Sequence, residues 1–480
     1  MSYEGDEMRQ QGNRPWHIEV NGINQVSRAE QTGHVSDLFW IWLAANLGIL
    51  AVIYGGVILS FGMNFWQALI VVVLGAASFV LVGVLSVAGR DGGAPMMTLS
   101  RAIFGIHGNV VPNFVSWLSF IGWETISVIT GTLALMALLG MFLPIPHVIL
   151  AVLAMVIMVG LTIILGLLGH ATLVVVQRWA SYFFGLLTLL VIGLLIPKTH
   201  WHLLWSRPPG PWLSGFVPAL SIIVAGTGLS WVNAAADYSR YLPRSVKSSA
   251  IIWSTVSGAA LPLIVLMITG LLLTTQEPTL ASAANPIQLI QQALPPWAAV
   301  PYLLTAAGGL ICEADLSLYS SGLNLLNMFV PLPRYKTVLI DAVVMAGGTV
   351  YVVLIAKNFL EPFESFILLL GTGLAAWAGI FIADQLGRRK GVYDKDLLYG
   401  AAPPYQVRVD ALIMWAVGTG AGLLCTSSPF FVGPLARGIF YGSSLELMVA
   451  FTVTLVGYLL LGLRTGNLHT VIEGAKGECE

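Results

Sequence analysis

The dominant feature of this sequence is a series of long apolar runs that recurs along almost the whole chain. Each run has about 20 residues, the length that a helix needs to cross a hydrocarbon core of roughly 30 Å. Backbone groups in lipid must bond within their own segment, so the runs predict helices. With only 9% charged residues, a soluble fold is excluded. We predict an all-α integral membrane protein with twelve transmembrane helices, at residues 36–60, 64–88, 109–140, 147–168, 171–196, 215–239, 248–274, 299–329, 337–356, 361–384, 408–426 and 445–463.

The basic residues are distributed unevenly between the two sides of this arrangement. Eighteen of the 22 lysines and arginines fall on one side, and an excess of positive residues marks the cytoplasmic side. An even number of spans then predicts a multi-pass protein of the cell (plasma or inner) membrane with both termini in the cytoplasm. No signal-peptide pattern precedes the first span. The net charge of −1 does not favour nucleic acid as a partner.

A charged segment with a Pro-Pro turn separates ten spans from a final pair. Because five is odd, two five-helix repeats would lie in opposite orientations, as in many secondary transporters. We predict six segments: a cytoplasmic tail at 1–35, a first repeat at 36–196, a second at 215–384, a cytoplasmic linker at 385–407, two peripheral helices at 408–463 and a cytoplasmic tail at 464–480.

The first helix of each predicted repeat is interrupted by small residues. The sequence reads Ala-Ala-Asn-Leu-Gly at 44–48, with Ala45 and Asn46, and Ala-Gly-Thr-Gly at 225–228, with Gly226 and Thr227. Small residues in membrane helices are also ordinary packing contacts. Their corresponding placement in the two halves favours broken helices that form a binding site.

Three acidic residues lie in the middle of predicted spans, namely Glu124, Glu313 and Asp315. An ionised acid at the centre of a membrane helix costs roughly 2.5–3.5 kcal/mol, so it must face a cavity, find a partner or stay protonated. A neutral acid that bonds to a neighbouring helix is the structural alternative. A carboxyl that binds and releases a proton at this depth is the functional one, and we favour it for Glu313.

Two tryptophans also lie deep in predicted spans. Trp123 shares a helix face with Ser127 one turn further on, and Trp231 follows Ser230 just after the second interruption. Such rings can enclose a flat, polar ligand between them, although core packing is the alternative. Trp42 lies near a span end and is predicted to be an interfacial anchor.

Other chemistry has little support in the sequence. No hydrolase or zinc-protease motif occurs, and the three cysteines do not have metal-site spacing, so we predict neither an enzyme nor an organic cofactor. Asp237, beside Arg240 at the end of the sixth span, is predicted to cap a helix or form an ion pair.

Several stretches together resemble the nucleobase–cation symporters, and within them the purine–cytosine permease branch. They are WLAANLGI at 42–49, GRDGGAPMMTLSRAIFGIHGN at 89–109, IGW at 121–123, SWVNAAADYSRYLP at 230–243 and LYSSGL at 318–323. The resemblance implies a core of two inverted five-helix repeats, like the sodium-coupled leucine transporters, and uptake of a nucleobase driven by H⁺ or Na⁺.

The resemblance also implies roles for individual residues. Trp123 and Trp231 match the family's stacking aromatics, whereas Ser127 and Ser317 occupy positions where members often place an amide. Cys312 and Glu313 lie near positions where sodium-driven members carry hydroxyl residues. Na⁺ prefers several hard oxygen ligands, which a thiol does not supply.

These departures lead to a hypothesis of proton coupling through Glu313 in an importer of purines or cytosine that works by alternating access. One alternative is a Na⁺ site at Ala45 and Glu313 in an importer of allantoin, hydantoin, uracil or thiamine. A second alternative, of another class, is an uncoupled channel or a receptor on the same scaffold.

Overall fold

The computed structural model describes residues 14–283, 285–356, 360–389, 392–400, 406–428 and 430–465. Parts of the predicted N-terminal tail and linker, and most of the predicted C-terminal tail, therefore lie outside the described residues. The first half contains α1 (Val35–Ala45), α2 (Ile49–Ser60), α3 (Phe65–Ala77), α4 (Phe79–Gly92), α5 (Met96–Phe104), α6 (Val110–Gly140), α7 (His147–Leu168), α8 (His170–Leu195) and α9 (Trp201–Trp205).

The second half is also helical. It contains α10 (Val217–Gly226), a 3-10 helix (Gly228–Ala234), α11 (Ser248–Leu273), α12 (Pro286–Ala293), α13 (Pro296–Asn327), α14 (Arg334–Leu354), α15 (Leu360–Ala383), α16 (Lys395–Tyr399), α17 (Val409–Leu424) and α18 (Glu446–Thr465).

Nine helical segments of the described chain are long and apolar enough to cross a membrane, and the bent pair α1–α2 makes a tenth. The shorter apolar helices α17 and α18 follow them. The all-helical membrane fold is thereby confirmed, while twelve stays the predicted number of crossings. Large apolar side chains cover the outside of the bundle: Leu186 and Val343 are 69% and 73% exposed, as expected for a surface that faces lipid.

The helices pack as two sets. In one, α11 packs against α1, α2, α3 and α4, and α10 packs on α3; in the other, α6, α7, α13 and α14 pack against one another. Each set therefore combines the corresponding spans of the two predicted repeats. Among the described helices, the long helices α6 and α13 share the most extensive contact.

The first predicted interruption separates α1 from α2. The two helices meet at an angle of 62°, and the N–H groups of Asn46 and Leu47 bond to carbonyls only three residues back. Gly309 of α13 packs against this break, where an added Cβ would lie 2.9 Å from the Leu47 carbonyl oxygen. Small residues thus allow α13 to approach the open backbone closely.

The second predicted interruption ends α10 at Gly226. Thr227 leaves the helical conformation, with φ −122° and ψ −111°, and the chain continues as a 3-10 helix. A Cβ at Gly226 would lie 2.5 Å from the Tyr54 hydroxyl, because that side chain of α2 crosses the break. Both predicted interruptions are confirmed, and this contact brings them together.

Candidate functional site

Glu313 of α13 lies beside the first helix break. A Cβ added to Gly48 would be 3.6 Å from the Glu313 Oε2 atom. The Ser127 hydroxyl of α6 faces the same carboxyl. Tyr54 lies within electrostatic range of Glu313 from α2. A carboxyl from one helix set therefore meets the broken helix of the other set.

The Cys312 side chain lies among apolar side chains. Its side chain packs with Ala44 of α1, Ala180 of α8 and the partly buried Phe184. Its carbonyl oxygen accepts a hydrogen bond of 2.9 Å from Gln177 Nε2. The Cys312 side chain thus packs against apolar neighbours.

Ala45 and Asn46, the predicted residues of the first break, are both buried, and the Asn46 side chain forms a hydrogen bond. Ala45 is the last residue of α1, and the Asn46 side chain donates a hydrogen bond of 2.8 Å to the Trp42 carbonyl. The Asn46 amide is thus engaged in closing the end of α1.

The hydroxyl groups at the second break bond to the backbone that the break exposes. Thr227 Oγ1 donates to the Ile223 carbonyl at 2.6 Å, and Ser230 Oγ donates to the Ala225 carbonyl. The Gly226 carbonyl accepts a hydrogen bond of 3.4 Å from Tyr54. These residues hold the break in shape, because carbonyls freed from a helix need partners in a membrane protein.

A cluster of aromatic rings lies between the two breaks. Trp231 makes an edge-to-face contact with Trp42 at 5.4 Å and a tilted contact with Phe120 at 6.3 Å. Trp123 is also buried, in the hydrophobic core that extends through the bundle. The prediction of Trp42 as an interfacial anchor is wrong: its ring is fully buried and also packs against Tyr238. Because α1 ends at the break, a residue near the end of a helix lies at the centre of the molecule.

The other two central acids have different neighbours from Glu313. Glu124 is fully buried, makes no hydrogen bond within the described residues, and interacts electrostatically with Asp341 of α14. Asp315 is also fully buried without a hydrogen bond, and it lies within electrostatic range of Arg334. The hydroxyl of Ser317 is buried and unpartnered as well. The three predicted acids therefore do not form one carboxyl cluster.

Asp237 has the predicted capping role, although on another helix. Its Oδ1 atom accepts a hydrogen bond of 2.7 Å from the Met96 N–H at the start of α5. A carboxylate at a helix N-terminus satisfies a free N–H and complements the helix dipole. This contact connects the stretch 89–109 to the stretch 230–243.

Sequence reasoning missed Glu19, which seals the end of the bundle where α1 begins, here called the N-terminal face. Its carboxylate pairs with Arg240 at 3.0 Å and lies 3.8 Å from Arg334. It accepts hydrogen bonds from Tyr319 at 3.1 Å and from the hydroxyl of Tyr241. These partners come from both helix sets, so a single carboxylate connects the two sets at this face.

The charges around Glu19 determine its protonation state. Burial alone would raise the pKa of this carboxyl, but Arg334, Arg240 and His170 together outweigh burial and lower the pKa below 4.5. The carboxylate is therefore ionised across the neutral range, and the N-terminal face is closed by charged hydrogen bonds.

A mainly apolar cavity lies at the start of α2, just after the first break. It is lined by Leu47, Gly48, Thr188, Tyr302 and Thr305, with further apolar side chains of α8 and α11. Gly48 connects this cavity to the surroundings of Glu313.

Comparison with known proteins places this arrangement in a family. Residues 25–449 match the family model of permeases for cytosine/purines, uracil, thiamine and allantoin. The putative purine-cytosine permease YxlA of Bacillus subtilis is 26% identical over 456 residues, covering 92% of this chain and 96% of the relative.

Two solved structures share the fold. Mhp1, a nucleobase-cation-symport-1 family transporter in a closed conformation with bromovinylhydantoin bound, is 17% identical with a TM-score of 0.74, and the match covers 94% of each chain. A Na⁺-coupled sialic acid symporter in a substrate-bound outward-open state is 14% identical with a TM-score of 0.62 over 92% of each chain. The inverted-repeat transporter fold is confirmed, and the protein is a transporter rather than an enzyme. The chain belongs to the family of permeases for cytosine/purines, uracil, thiamine and allantoin.

Proposed function

We propose that this protein imports a purine or cytosine together with protons across the cell membrane. Alternating access would open the central site to one side at a time, with both chain termini in the cytoplasm. The observation that carries the proposal is the Glu313 carboxyl, which lies between the first helix break and Ser127. A group that touches both helix sets can change its surroundings when those sets move relative to each other.

The residues near Glu313 favour a proton over Na⁺ as the coupling ion. Na⁺ would need several oxygen ligands, whereas the Cys312 side chain adjoins Ala44 and Ala180. Binding a proton requires only the carboxyl itself, and the Ser127 hydroxyl can accept a hydrogen bond from the protonated acid.

The aromatic cluster and the relatives together support a flat ring as the substrate. Trp231 is held by edge-to-face packing on Trp42, so its position is fixed before a ligand arrives. With Trp123 on α6, it can bind a planar base by stacking, while Ser127 and Glu313 bond to the edge of the ring. The name of the Bacillus subtilis relative supports purines and cytosine.

Uptake into proteoliposomes with imposed gradients tests the proposal. We expect labelled cytosine or adenine to accumulate when the outside is acidic, to be lost with a protonophore, and to be unaffected when choline replaces Na⁺. Glu313→Gln should abolish accumulation while exchange of internal for external substrate continues. Glu277→Gln, which changes an acid in a loop, is the matched control and should accumulate substrate normally.

Three results would contradict parts of the proposal. Accumulation that needs Na⁺ and survives a protonophore would identify the Na⁺-coupled alternative. Uptake of allantoin or hydantoin without any nucleobase uptake would overturn the substrate assignment. Flux that only equilibrates substrate under every gradient would indicate a channel.

A further inference from the structure

Three polar side chains meet next to the aromatic cluster, on the side of the N-terminal face. Asn233 of the 3-10 helix and Asn324 of α13 each donate a hydrogen bond of 2.7 Å from Nδ2 to the Ser116 hydroxyl of α6. All three residues are at most 2% exposed. Because both amides donate to one oxygen, their nitrogens are no further apart than twice that bond length. Two amides are thus held side by side deep in the molecule.

The position of the two amides follows from the helices that carry their contacts. Phe120, which packs against Trp231 at 6.3 Å, lies one helical turn after Ser116 on the same face of α6. On α13, Asn324 follows Tyr319, which bonds to the charged seal of the N-terminal face. The amides are therefore the next polar groups that a substrate meets on its way from the aromatic cluster to that face.

One of the two bonds joins the two helix sets. The 3-10 helix that carries Asn233 packs on α4 of one set, whereas Ser116 belongs to α6 of the other. Asn324 lies in the same set as Ser116, and the Asn113 side chain of α6 donates a further hydrogen bond of 2.8 Å to the Asn324 carbonyl. A movement of the two sets apart at the N-terminal face would therefore break the bond from Asn233 and expose both amides to the space between the sets.

The hydrogen bonds of these amides are incomplete while they are closed on Ser116. Asn233 Oδ1 and Asn113 Oδ1 are buried without a hydrogen bond, which costs free energy. An amide carries an acceptor oxygen beside an NH₂ donor, so a ligand that satisfies Asn233 must supply a donor as well as an acceptor. The edge of adenine does so, because an asparagine amide can accept from its amino group and donate to the neighbouring ring nitrogen. Cytosine has the same pair of groups.

We propose that Asn233 and Asn324 form a second binding site for the polar edge of the substrate ring, which is used when the N-terminal face is open. Ser116 holds the two amides together in the closed arrangement and is not itself a ligand. As the ring leaves the aromatic cluster, its edge replaces the Ser116 hydroxyl as the partner of the amides. This inference rests on the proposed function, because it requires a nucleobase to pass from the aromatic cluster to the N-terminal face.

The Ser116→Ala variant separates binding of the substrate from closure of the protein. It removes the oxygen to which both amides donate and leaves the amides in place, so it weakens only the closed arrangement. Adding Asn233→Ala or Asn324→Ala to this variant then breaks no bond to Ser116. A change in KM caused by the second substitution therefore reports a lost contact with the substrate.

Uptake of labelled cytosine or adenine into membrane vesicles of the two orientations measures this effect. In everted vesicles, which present the N-terminal face to the medium, each second substitution should raise the KM about fivefold, as expected for the loss of one hydrogen bond. In right-side-out vesicles, the KM should change by less than about twofold. Gln288→Ala, which removes an exposed amide of α12, is the matched control and should leave both KM values unchanged. Size-exclusion profiles that match the parent protein establish folding, and either asparagine alone suffices for the test.

Two results would overturn this second site while leaving the proposed function intact. An unchanged or lower KM in everted vesicles would mean that the amides only hold the helix sets together. An equal rise of the KM in both kinds of vesicle would mean that the amides act through the central site. Absence of nucleobase transport by the parent protein would instead overturn the proposed function, and the second site with it.

Discussion

Replacing Glu19 by glutamine should open the N-terminal face. The Glu19, Arg240 and Arg334 side chains are at most 1% exposed, so the substitution leaves two buried guanidinium groups without their carboxylate. Removing one partner of a buried ion pair costs about 3–5 kcal/mol. Because the glutamine oxygen can still accept one hydrogen bond, we take the lower value of about 3 kcal/mol. At roughly 1.4 kcal/mol per tenfold change, the ratio of open to closed molecules should rise about a hundredfold.

Labelling of an engineered cysteine measures this change. Ser320 is fully buried and its Oγ lies 3.0 Å from the Tyr238 hydroxyl, just inside the closed face. In a background without the three native cysteines, Ser320→Cys should react with a maleimide about a hundredfold faster when Glu19→Gln is present. Asp410→Asn removes the more exposed ion pair with Arg408, which is worth at most about 1 kcal/mol, and should change the rate by less than about fivefold. Equal rates in both variants would refute the role of Glu19 in closure.

The pH dependence of the same reaction follows from the ionisation of Glu19. Its pKa in the folded protein lies below the ordinary value of 4.5, so the carboxylate stabilises the closed face above that value and loses this effect only as the pH falls through the lowered pKa. The change in the labelling rate of Ser320→Cys caused by Glu19→Gln should therefore be the same at every pH of the neutral range. A marked rise between pH about 7 and about 6 that is present with Glu19 and absent in Glu19→Gln would contradict this assignment.

Two further substitutions test the packing around the breaks. Gly270→Ala would place a Cβ 2.0 Å from the Val52 carbonyl oxygen. It should lower stability by about 1–3 kcal/mol, measured as a reduced Tm of the purified protein. Gly347→Ala, with open space around the added Cβ, should change the Tm little. Trp42→Ala should lower stability by about 3–5 kcal/mol through the cavity it leaves, and it should also weaken substrate binding. Trp253→Ala, at a residue 69% exposed, should do neither. Unchanged substrate binding in Trp42→Ala would show that the aromatic cluster has no part in the site.

The sequence predicts the helices and their breaks well because both depend on local patterns. Apolar length determines which segments are helical, and small residues at 44–48 and 225–228 mark the places where the helices open. The direction in which a side chain points is not a local property. Glu124 appears equivalent to Glu313 in the sequence, yet Glu313 lies beside the first helix break, whereas Glu124 is fully buried within electrostatic range of Asp341 of α14.

The missed residues have identifiable causes. Asp341 resembles an end-of-span residue because the predicted ninth span starts at 337, whereas α14 begins at Arg334. Glu19 lies in a polar segment without periodicity, and its partners are between 151 and 315 residues away in the chain. Contacts of such long range arise only from the assembled fold.

Proton movement that accompanies substrate entry tests the central claim most directly. Cytosine or adenine added to weakly buffered proteoliposomes should make the external medium more alkaline, without an imposed gradient and in the absence of Na⁺. The signal should be absent in Glu313→Gln and present in Glu277→Gln. Substrate accumulation driven by Na⁺ with no change in external pH would contradict proton coupling through Glu313.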